Sequence, residues 1–357
     1  MEAIAIKKQL YEEDHIAFNE ISIDQLFKKY EEVGFLYPAK KTLLRAHFTT
    51  VTQNWKKLIH GANDLLWFMN TKEACERCFA SVSICKETSS GILAQHLVAN
   101  GNPSIFLKVM LAAQNRAKQI YGEEEFRACQ NWFQPDDRYL FRVFATMYDH
   151  LGPDKSALSL FHYLHLPLTQ IKENYGWDYQ AEAVRGFDPE CISFVRRQYG
   201  GVFVKAEELD QEDIELKKLA ATFATQGLKR SRNVYKIRDT HTHKIVACII
   251  ANRAPLGMNF SYLENKAYYI FDKNLESIER RLVLHTANAI IKPLYLDIAL
   301  QAIPIVTDAS TSSELIGLRA FFVRVYMQSI WIQKGFKLWD DHIHAFLARM
   351  EQGKQTS

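Results

Sequence analysis

The sequence predicts a mixed α+β protein with two similar halves in tandem, each a mostly antiparallel sheet flanked by helices. Three observations support this class. The 357 residues suffice for about two ordinary domains. Strand-like and helix-like segments follow one another in the same mixed order in both halves, without strict strand–helix alternation. Between them, residues 167–190 mix Pro, Gly and charges without a long apolar period. We therefore predict domains at residues 1–166 and 191–357, joined by a linker at 167–190.

The first half opens with helical periodicity. Residues 24–34 and 39–59 carry apolar side chains three and four positions apart, which predicts two amphipathic helices. Further along, we predict strands at residues 65–69, 79–85, 91–99, 128–133 and 158–164, and helices at residues 104–121 and 139–150.

The second half repeats this order of elements, although the two halves do not match residue by residue. Its strands are predicted at residues 201–206, 234–238, 245–251, 267–271, 303–308 and 335–339. Its helices are predicted at residues 212–230, 275–291 and 313–334. A polar hairpin turn containing His241 and His243 separates two of the strands, and we expect it to be an exposed turn and not a metal site.

Composition excludes several classes of protein. Apolar residues make up 48% of the chain, too many for a disordered protein. Lys and Arg number 44 against 41 Asp and Glu, so nucleic acid is not an expected partner. Six cysteines are too few for a disulfide scaffold, and no apolar run is long enough to span a membrane. With no signal-peptide pattern, a cytoplasmic protein with no membrane partner is expected.

The chain carries two short motifs, WIQKGF at residues 331–336 and FATMYDHLG at residues 144–152. Together with the order of elements, they resemble the GNAT acyltransferase superfamily, here as two copies. Residues Trp331–Phe336 (WIQKGF) place an aromatic four positions before Gly-Phe, as at the end of that superfamily's fourth helix. Residues Phe144–Gly152 (FATMYDHLG) place Tyr148 four positions before a glycine. The resemblance implies two tandem GNAT-like domains, acyl-CoA as the acyl donor, and transfer to an amine in a cleft between parted strands.

The superfamily's pyrophosphate loop is degenerate in both halves. The first half has Asn100, Gly101, Asn102, Pro103 and Ser104 there, where Asn102 can cap a helix and Pro103 suits its first position. One glycine remains, and the usual Gln or Arg is absent. We predict a strand-to-helix turn in which Asn100, Gly101, Asn102 and Ser104 contact the cofactor; a plain turn is the alternative. The corresponding segment 272–277 of the second half (DKNLES) has acids and no glycine, which suits a phosphate poorly.

The proton donor that the resemblance implies is a tyrosine before the Gly-Phe pair. Tyr148 occupies this position in the first half and Trp331 in the second. An indole N–H cannot protonate a departing thiolate, so we predict Tyr148 as the catalytic residue of any acyl transfer. A packing role for Tyr148 is the alternative. The general base is open among Glu207, Glu208, Asp308 and His342.

Other constellations point to no metal. Cys75 and Cys78 have C-x-x-C spacing, but a structural zinc site usually supplies a second close pair, and none exists here. His342 and His344 beside two aspartates could hold a base or a metal, with a polar edge as the alternative.

Basic clusters support a second functional hypothesis. A phosphate-binding surface could form from five arginines of the second half: Arg230, Arg232, Arg280, Arg281 and Arg319. The chain would then be a non-catalytic GNAT-like receptor for a small anionic ligand, such as a nucleotide or cyclic dinucleotide, that regulates a protein partner. The first hypothesis, an acyl-CoA-dependent N-acyltransferase acting on a small amine, rests on the order of elements and on Tyr148.

Overall fold

In the computed structural model, residues 16–61, 64–72, 79–101, 103–168 and 178–355 are described. They form a large sheet flanked by helices on both faces. The strands are β1 Ile16–Phe18, β2 Leu66–Thr71, β3 Phe79–Lys86, β4 Gly91–Asn100, β5 Ala128–Phe133, β6 Ser156–Pro167, β7 Tyr179–Val184, β8 Ser231–Asp239, β9 Ile245–Arg253, β10 Ala267–Phe271, β11 Ala302–Thr307 and β12 Phe321–Ile332. The helices are α1 Ile23–Glu32, α2 Pro38–Arg45, α3 Phe48–Ile59, α4 Pro103–Tyr121, α5 Arg138–Leu151, α6 Pro189–Ala206, α7 Lys217–Thr225, α8 Ser277–Ile291, α9 Ala309–Gly317 and α10 Phe336–Gln355.

The described strands form a 12-stranded sheet with the order β1-β2-β3-β4-β5-β12-β6-β11-β10-β9-β8-β7. Neighbouring strands are antiparallel except for β4–β5 and β10–β11, which are parallel. This arrangement confirms the predicted mixed α+β class, and one parallel pair lies in each half.

The last strand of each half crosses to the other half. Strand β12 lies between β5 and β6, and β6 pairs with β11 as well as with β12. The two halves are therefore joined by an exchange of strands within one continuous sheet. Strand β6 runs to Pro167 and β7 begins at Tyr179, inside the segment predicted as a linker. The predicted division into domains at 1–166 and 191–357 stays a prediction.

Three elements of the second half were wrongly predicted. Residues 201–206 are not a strand but the end of α6. The predicted helix 313–334 is instead the end of α9 followed by β12, and residues 335–339 begin helix α10 instead of a strand. Strand β12 is buried on both faces from Tyr326 onward, so its apolar run has no period of two that would distinguish it from a helix. Trp331 thus lies on a strand and does not end a helix.

Helices cover both faces of the first half. On one face, which we call the α4 face, α4, α5 and α10 pack around Phe144, Trp331 and Trp339. On the opposite face, the α1–α3 face, α1 and α3 pack around Phe27 and Trp55. Local signals support these elements, since Ser22 and Gln25 form a reciprocal capping box at the start of α1.

Of the helices in the described part of the chain, none is long and apolar enough to cross a membrane.

Candidate active-site cleft

The parallel strands of the first half separate along their length. Residues Gly91–Ala94 of β4 pair with Ala128–Asn131 of β5, and the pairing ends there although both strands continue. The β3–β4 register also shifts opposite Ser81–Ser83, and His96 on β4 has a φ of 50°. This bulge bends β4 away from β5, because an extra residue locally disrupts the ladder and twists the strand.

A cavity of about 430 Å³ fills the opening between the parted strands, and we call it the first cleft. It reaches both faces of the sheet. Leu140 of α5 lines it from the α4 face, whereas Phe35, Tyr37 and Lys40 line it from the α1–α3 face. The other residues around it are Gly34, Leu93, Gln95, His96, Leu97, Trp132, Phe133, Gln134, Asp136, Asp137, Asn259, Phe260, Ser261, Leu263 and Tyr326.

One wall of the first cleft comes from the second half. Residues 254–266, between β9 and β10, form a buried loop that reaches α3 and β4, and we call it the wall loop. Trp55 donates its indole N–H to the carbonyl of Gly257 at 2.7 Å. The Gln95 side chain donates to the Met258 carbonyl at 2.6 Å and accepts from Asn259 at 3.0 Å. The shape of the first cleft therefore depends on contacts between the two halves.

His96 is held as a neutral structural residue. Its Nε2 accepts the backbone N–H of Phe260 at 3.1 Å, and its Nδ1 lies 2.7 Å from the Ser83 hydroxyl oxygen. Burial and, to a lesser degree, the charge of Lys40 hold the pKa of His96 well below its usual range. Because both ring nitrogens are engaged, His96 cannot take a proton without losing a backbone hydrogen bond.

Two cations meet around Tyr37 at the edge of the first cleft. Lys40 lies over the Phe35 ring, 3.9 Å from its centroid, and Arg324 donates to the Tyr37 hydroxyl at 2.6 Å. Burial, followed by the charge of Arg324, lowers the pKa of Lys40 to about 8. A bulge in β12 between Phe322 and Arg324 sets the direction of the arginine.

The second half has an equivalent opening, which we call the second cleft. Strands β10 and β11 pair only at Ala267–Tyr268 with Ile305–Val306, and a cavity of about 410 Å³ lies beyond. Tyr148, Lys273 and Asp308 line it together with Tyr199 and residues 156–160. Tyr148 ends up here because β6, which follows α5, pairs with β11 of the second half. The structure thus places Tyr148 at the second cleft and away from the residues that line the first.

The predicted cofactor turn has the expected strand and helix on either side. Strand β4 ends at Asn100, Gly101 has a φ of 93°, and α4 begins at Pro103 with Ser104 buried behind it. Asn102 lies outside the described residues. The contacts of this turn with a cofactor stay a prediction.

The corresponding turn of the second half is occupied by acids. The carboxylate of Glu279 accepts the backbone N–H of Glu276 at 2.9 Å at the start of α8. An anion approaching this helix end would meet both carboxylates, which agrees with the poor fit to a phosphate that its sequence suggests.

Two of the five predicted ligand-binding arginines are buried in ion pairs. Arg232 donates to the Glu207 carboxylate at 2.7 Å, and Arg230 lies 3.7 Å from that of Glu87. All four side chains are less than 5% exposed. The Arg232–Glu207 pair joins β8 to the end of α6 within the second half, whereas the Arg230–Glu87 pair reaches the β3–β4 turn and connects the two halves.

The other three arginines lie around α8 and α9. Arg280 is buried and donates to the Thr311 hydroxyl at 3.1 Å, while Arg281 pairs with Glu314 at 2.9 Å. Arg319 is exposed. The structure does not bring the five arginines into one surface, and their role as a ligand site stays a prediction.

The four candidate bases lie apart. Glu207 is buried against Arg232, and Glu208 accepts the backbone N–H groups of Ser89 and Ser90. Asp308 caps α9 at the second cleft. His342 lies 3.3 Å from the Thr146 hydroxyl, on the α4 side.

Metal ligands do not cluster where the structure can be described. In the ranges given above, no group of three or more His, Cys, Asp or Glu side chains could hold an ion. Cys75 and Cys78 lie outside those ranges.

Sequence reasoning missed the polar residues of the first cleft. Tyr37 and Lys40 come from the start of α2, Ser261 from the wall loop and Tyr326 from β12. Arg324, also on β12, reaches the edge of the cleft through its hydrogen bond to Tyr37. No motif connects them in the sequence, since only the strand exchange brings β12 beside β5. The β12 segment was also predicted as a helix, which hid Arg324 and Tyr326.

Comparisons with known proteins find solved structures of low sequence identity. No family model matches the chain, and neither does any curated protein. A tandem GNAT protein from the clavulanic acid biosynthesis pathway is 8% identical over 89% of this chain and 98% of its own, with a TM-score of 0.38. A Drosophila melanogaster protein is 11% identical over 83% and 95%, with a TM-score of 0.40. N-myristoyltransferase from Saccharomyces cerevisiae is 10% identical over 89% and 80%, with a TM-score of 0.31. By its own strand order, with a parted parallel pair in each half, the chain has a tandem GNAT-like fold.

Proposed function

We propose that the chain is an acyl-CoA-dependent N-acyltransferase that acts on a small amine in the first cleft. The observation that carries this proposal is the parting of β4 and β5 over a cavity of about 430 Å³. A thioester laid between parted strands meets backbone groups of β4, and N–H groups so placed stabilise the oxyanion of acyl transfer.

The turn after β4 fits the phosphate end of such a donor. Helix α4 has 19 residues and begins within three positions of the end of β4, so its positive end points toward the carboxyl ends of the parted strands. Gly101 leaves the backbone of this turn accessible because it has no side chain. When bound, acyl-CoA supplies the activated acyl group, and the residues of the chain position the two substrates and transfer protons.

The cleft contains groups that can transfer protons. The amine nitrogen attacks the thioester carbonyl carbon, the C–S bond breaks, and the sulfur receives a proton. Tyr37 and Tyr326 are phenols on the cleft wall; Tyr326 donates to the Ser261 hydroxyl at 3.0 Å. Burial raises the pKa of Tyr326, and the charge of Arg324 partly offsets this. Asp136 is an exposed carboxylate at the α4-face end of the cleft and can accept the proton of the amine.

A non-catalytic receptor is the second candidate function. Two side chains of the cleft favour this function because they are already hydrogen-bonded. Both ring nitrogens of His96 have partners, and the carboxylate of Asp137 caps α5. Neither is free to act as a base. The same cleft would then bind a small anionic ligand and signal to a protein partner without turning it over.

Blocking each cleft separately tests the location of the activity. Leu140→Trp fills the first cleft from α5, and Leu160→Trp is the matched change at the second. We expect wild type and Leu160→Trp to acylate an amine panel with acetyl- and longer acyl-CoAs, and Leu140→Trp to lose both turnover and acyl-CoA binding. Loss only in Leu160→Trp would contradict the proposal. Acyl-CoA binding by wild type, with no turnover by wild type or by either variant, would support the receptor function.

A further inference from the structure

We propose that Lys40 and Arg324 bind an anionic group, a carboxylate or a phosphate, on the acceptor amine of the first cleft. This inference rests on the proposed function and adds the class of acceptor. The substrate would be a zwitterion of the amino-acid or phosphoamine type, and a simple alkylamine would be a poor substrate.

Both cations lack an acidic partner in the described part of the chain. Neither Lys40 nor Arg324 forms an ion pair with a carboxylate anywhere in residues 16–61, 64–72, 79–101, 103–168 and 178–355. The buried arginines behave differently, since Arg230 and Arg232 each contact a glutamate. Partly buried charges are normally paired, so two unpaired cations beside a cavity indicate an anionic ligand.

Both cations approach the Tyr37 side chain. Arg324 donates to the Tyr37 hydroxyl, while Lys40 lies 5.4 Å from the centroid of the Tyr37 ring. Their mutual repulsion contributes to the lowered pKa of Lys40. An anion between them would remove this repulsion, and a guanidinium binds carboxylate or phosphate oxygens with two parallel hydrogen bonds.

The anion between the two cations is distinct from the phosphates of the acyl donor. Lys40 and Tyr37 line the cleft from the α1–α3 face, whereas α4 packs on the opposite face. A donor whose phosphates lie at the start of α4 enters from the α4 face. The two cations therefore lie on the other side of the sheet, where the acceptor would enter.

Matched acceptors test the charge requirement directly. Ethanolamine, β-alanine and O-phosphoethanolamine share a two-carbon amine and differ in the terminal group; phenethylamine and phenylalanine form an aromatic pair. With wild type, we expect kcat/KM to be about 10- to 100-fold higher for anionic members than for their neutral partners, the range of a charge-assisted hydrogen bond. The preferred anion distinguishes carboxylate from phosphate.

Variants assign this preference to the two cations. Arg324→Gln and Lys40→Met should remove most of the preference while leaving acetyl-CoA binding, measured by calorimetry, within about twofold. Arg324→Lys keeps the positive charge and should retain part of the preference for anionic acceptors. Arg45→Gln, an exposed change on the same helix as Lys40, is the control and should behave as wild type.

The outcomes separate the inference from the proposed function. Turnover with equal rates for neutral and anionic acceptors would overturn the anion site and keep the transferase. Absence of turnover, with phenylalanine or phosphate stabilising wild type but not Arg324→Gln in thermal melts, would keep the anion site and remove the transferase. Absence of both turnover and anion-dependent stabilisation would overturn both.

Discussion

Gly257→Ala tests whether the wall loop determines the shape of the first cleft. Gly257 has a φ of 80°, and a Cβ at this position would overlap Cγ2 of Val51 and lie 2.7 Å from its Cγ1. Both residues are buried, so neither can move into solvent. The left-handed backbone costs about 1–2 kcal/mol for alanine, and overpacking typically adds about 1–3 kcal/mol. We expect the variant to be destabilised by about 2–5 kcal/mol.

The size of the chain sets the change in melting temperature. For 357 residues, the entropy of unfolding is about 750 cal/mol/K, so 4 kcal/mol lowers the melting temperature by about 5 °C. Urea unfolding followed by tryptophan fluorescence and by far-UV circular dichroism measures the free energy and shows whether the transition is two-state.

Two matched variants separate the two contributions. Gly122 also has a φ of 80°, but a Cβ there would meet nothing within 4 Å, so Gly122→Ala reports the backbone strain alone. Val51→Ala removes the clashing methyl groups. In the double variant we expect a favourable coupling of about 1–3 kcal/mol between Gly257→Ala and Val51→Ala. Equal destabilisation in Gly257→Ala and Gly122→Ala, or strict additivity of the double variant, would refute this account of the wall loop.

Three further changes have definite expected outcomes. Burial raises the pKa of Glu264 from 4.5 to about 8, so the unfolded chain loses this proton first and wild-type stability falls as pH rises between these values. Glu264→Gln should gain about 3–4 kcal/mol relative to wild type between pH 5 and 8, and a difference that stays constant with pH would exclude this. Arg232→Met should lower the free energy of unfolding, measured with urea, by about 3–5 kcal/mol because it leaves the Glu207 carboxylate without its ion-pair partner. The double variant with Glu207→Gln should recover much of this loss. Tyr148→Phe should keep wild-type turnover if the first cleft is the active site, whereas a fall of about 10²–10⁴-fold at unchanged melting temperature would support the predicted role of Tyr148 as proton donor. Trp331→Phe should mainly lower stability.

The sequence was most informative where a strand or helix has one buried face or a clear end. The strand-to-helix turn around Pro103 and the helix ending at Gly152 follow from capping and glycine preferences that act locally. Strand β12 was missed for the opposite reason. It lies in the middle of the sheet with helices on both sides, so its apolar side chains face both ways and leave no periodic signal.

The site was harder to predict than the fold because it depends on the strand exchange. Tyr148 was predicted as the proton donor from its place four positions before a glycine, a pattern that does not show which cleft the end of α5 reaches. Once β6 crosses to β11, the end of α5 moves to the second cleft, and β12 brings Arg324 and Tyr326 to the first. Each cleft is therefore completed by residues of the other half. A substitution that weakens the β6–β12 pairing should consequently disturb both clefts together, which an arrangement of two independent domains would not do.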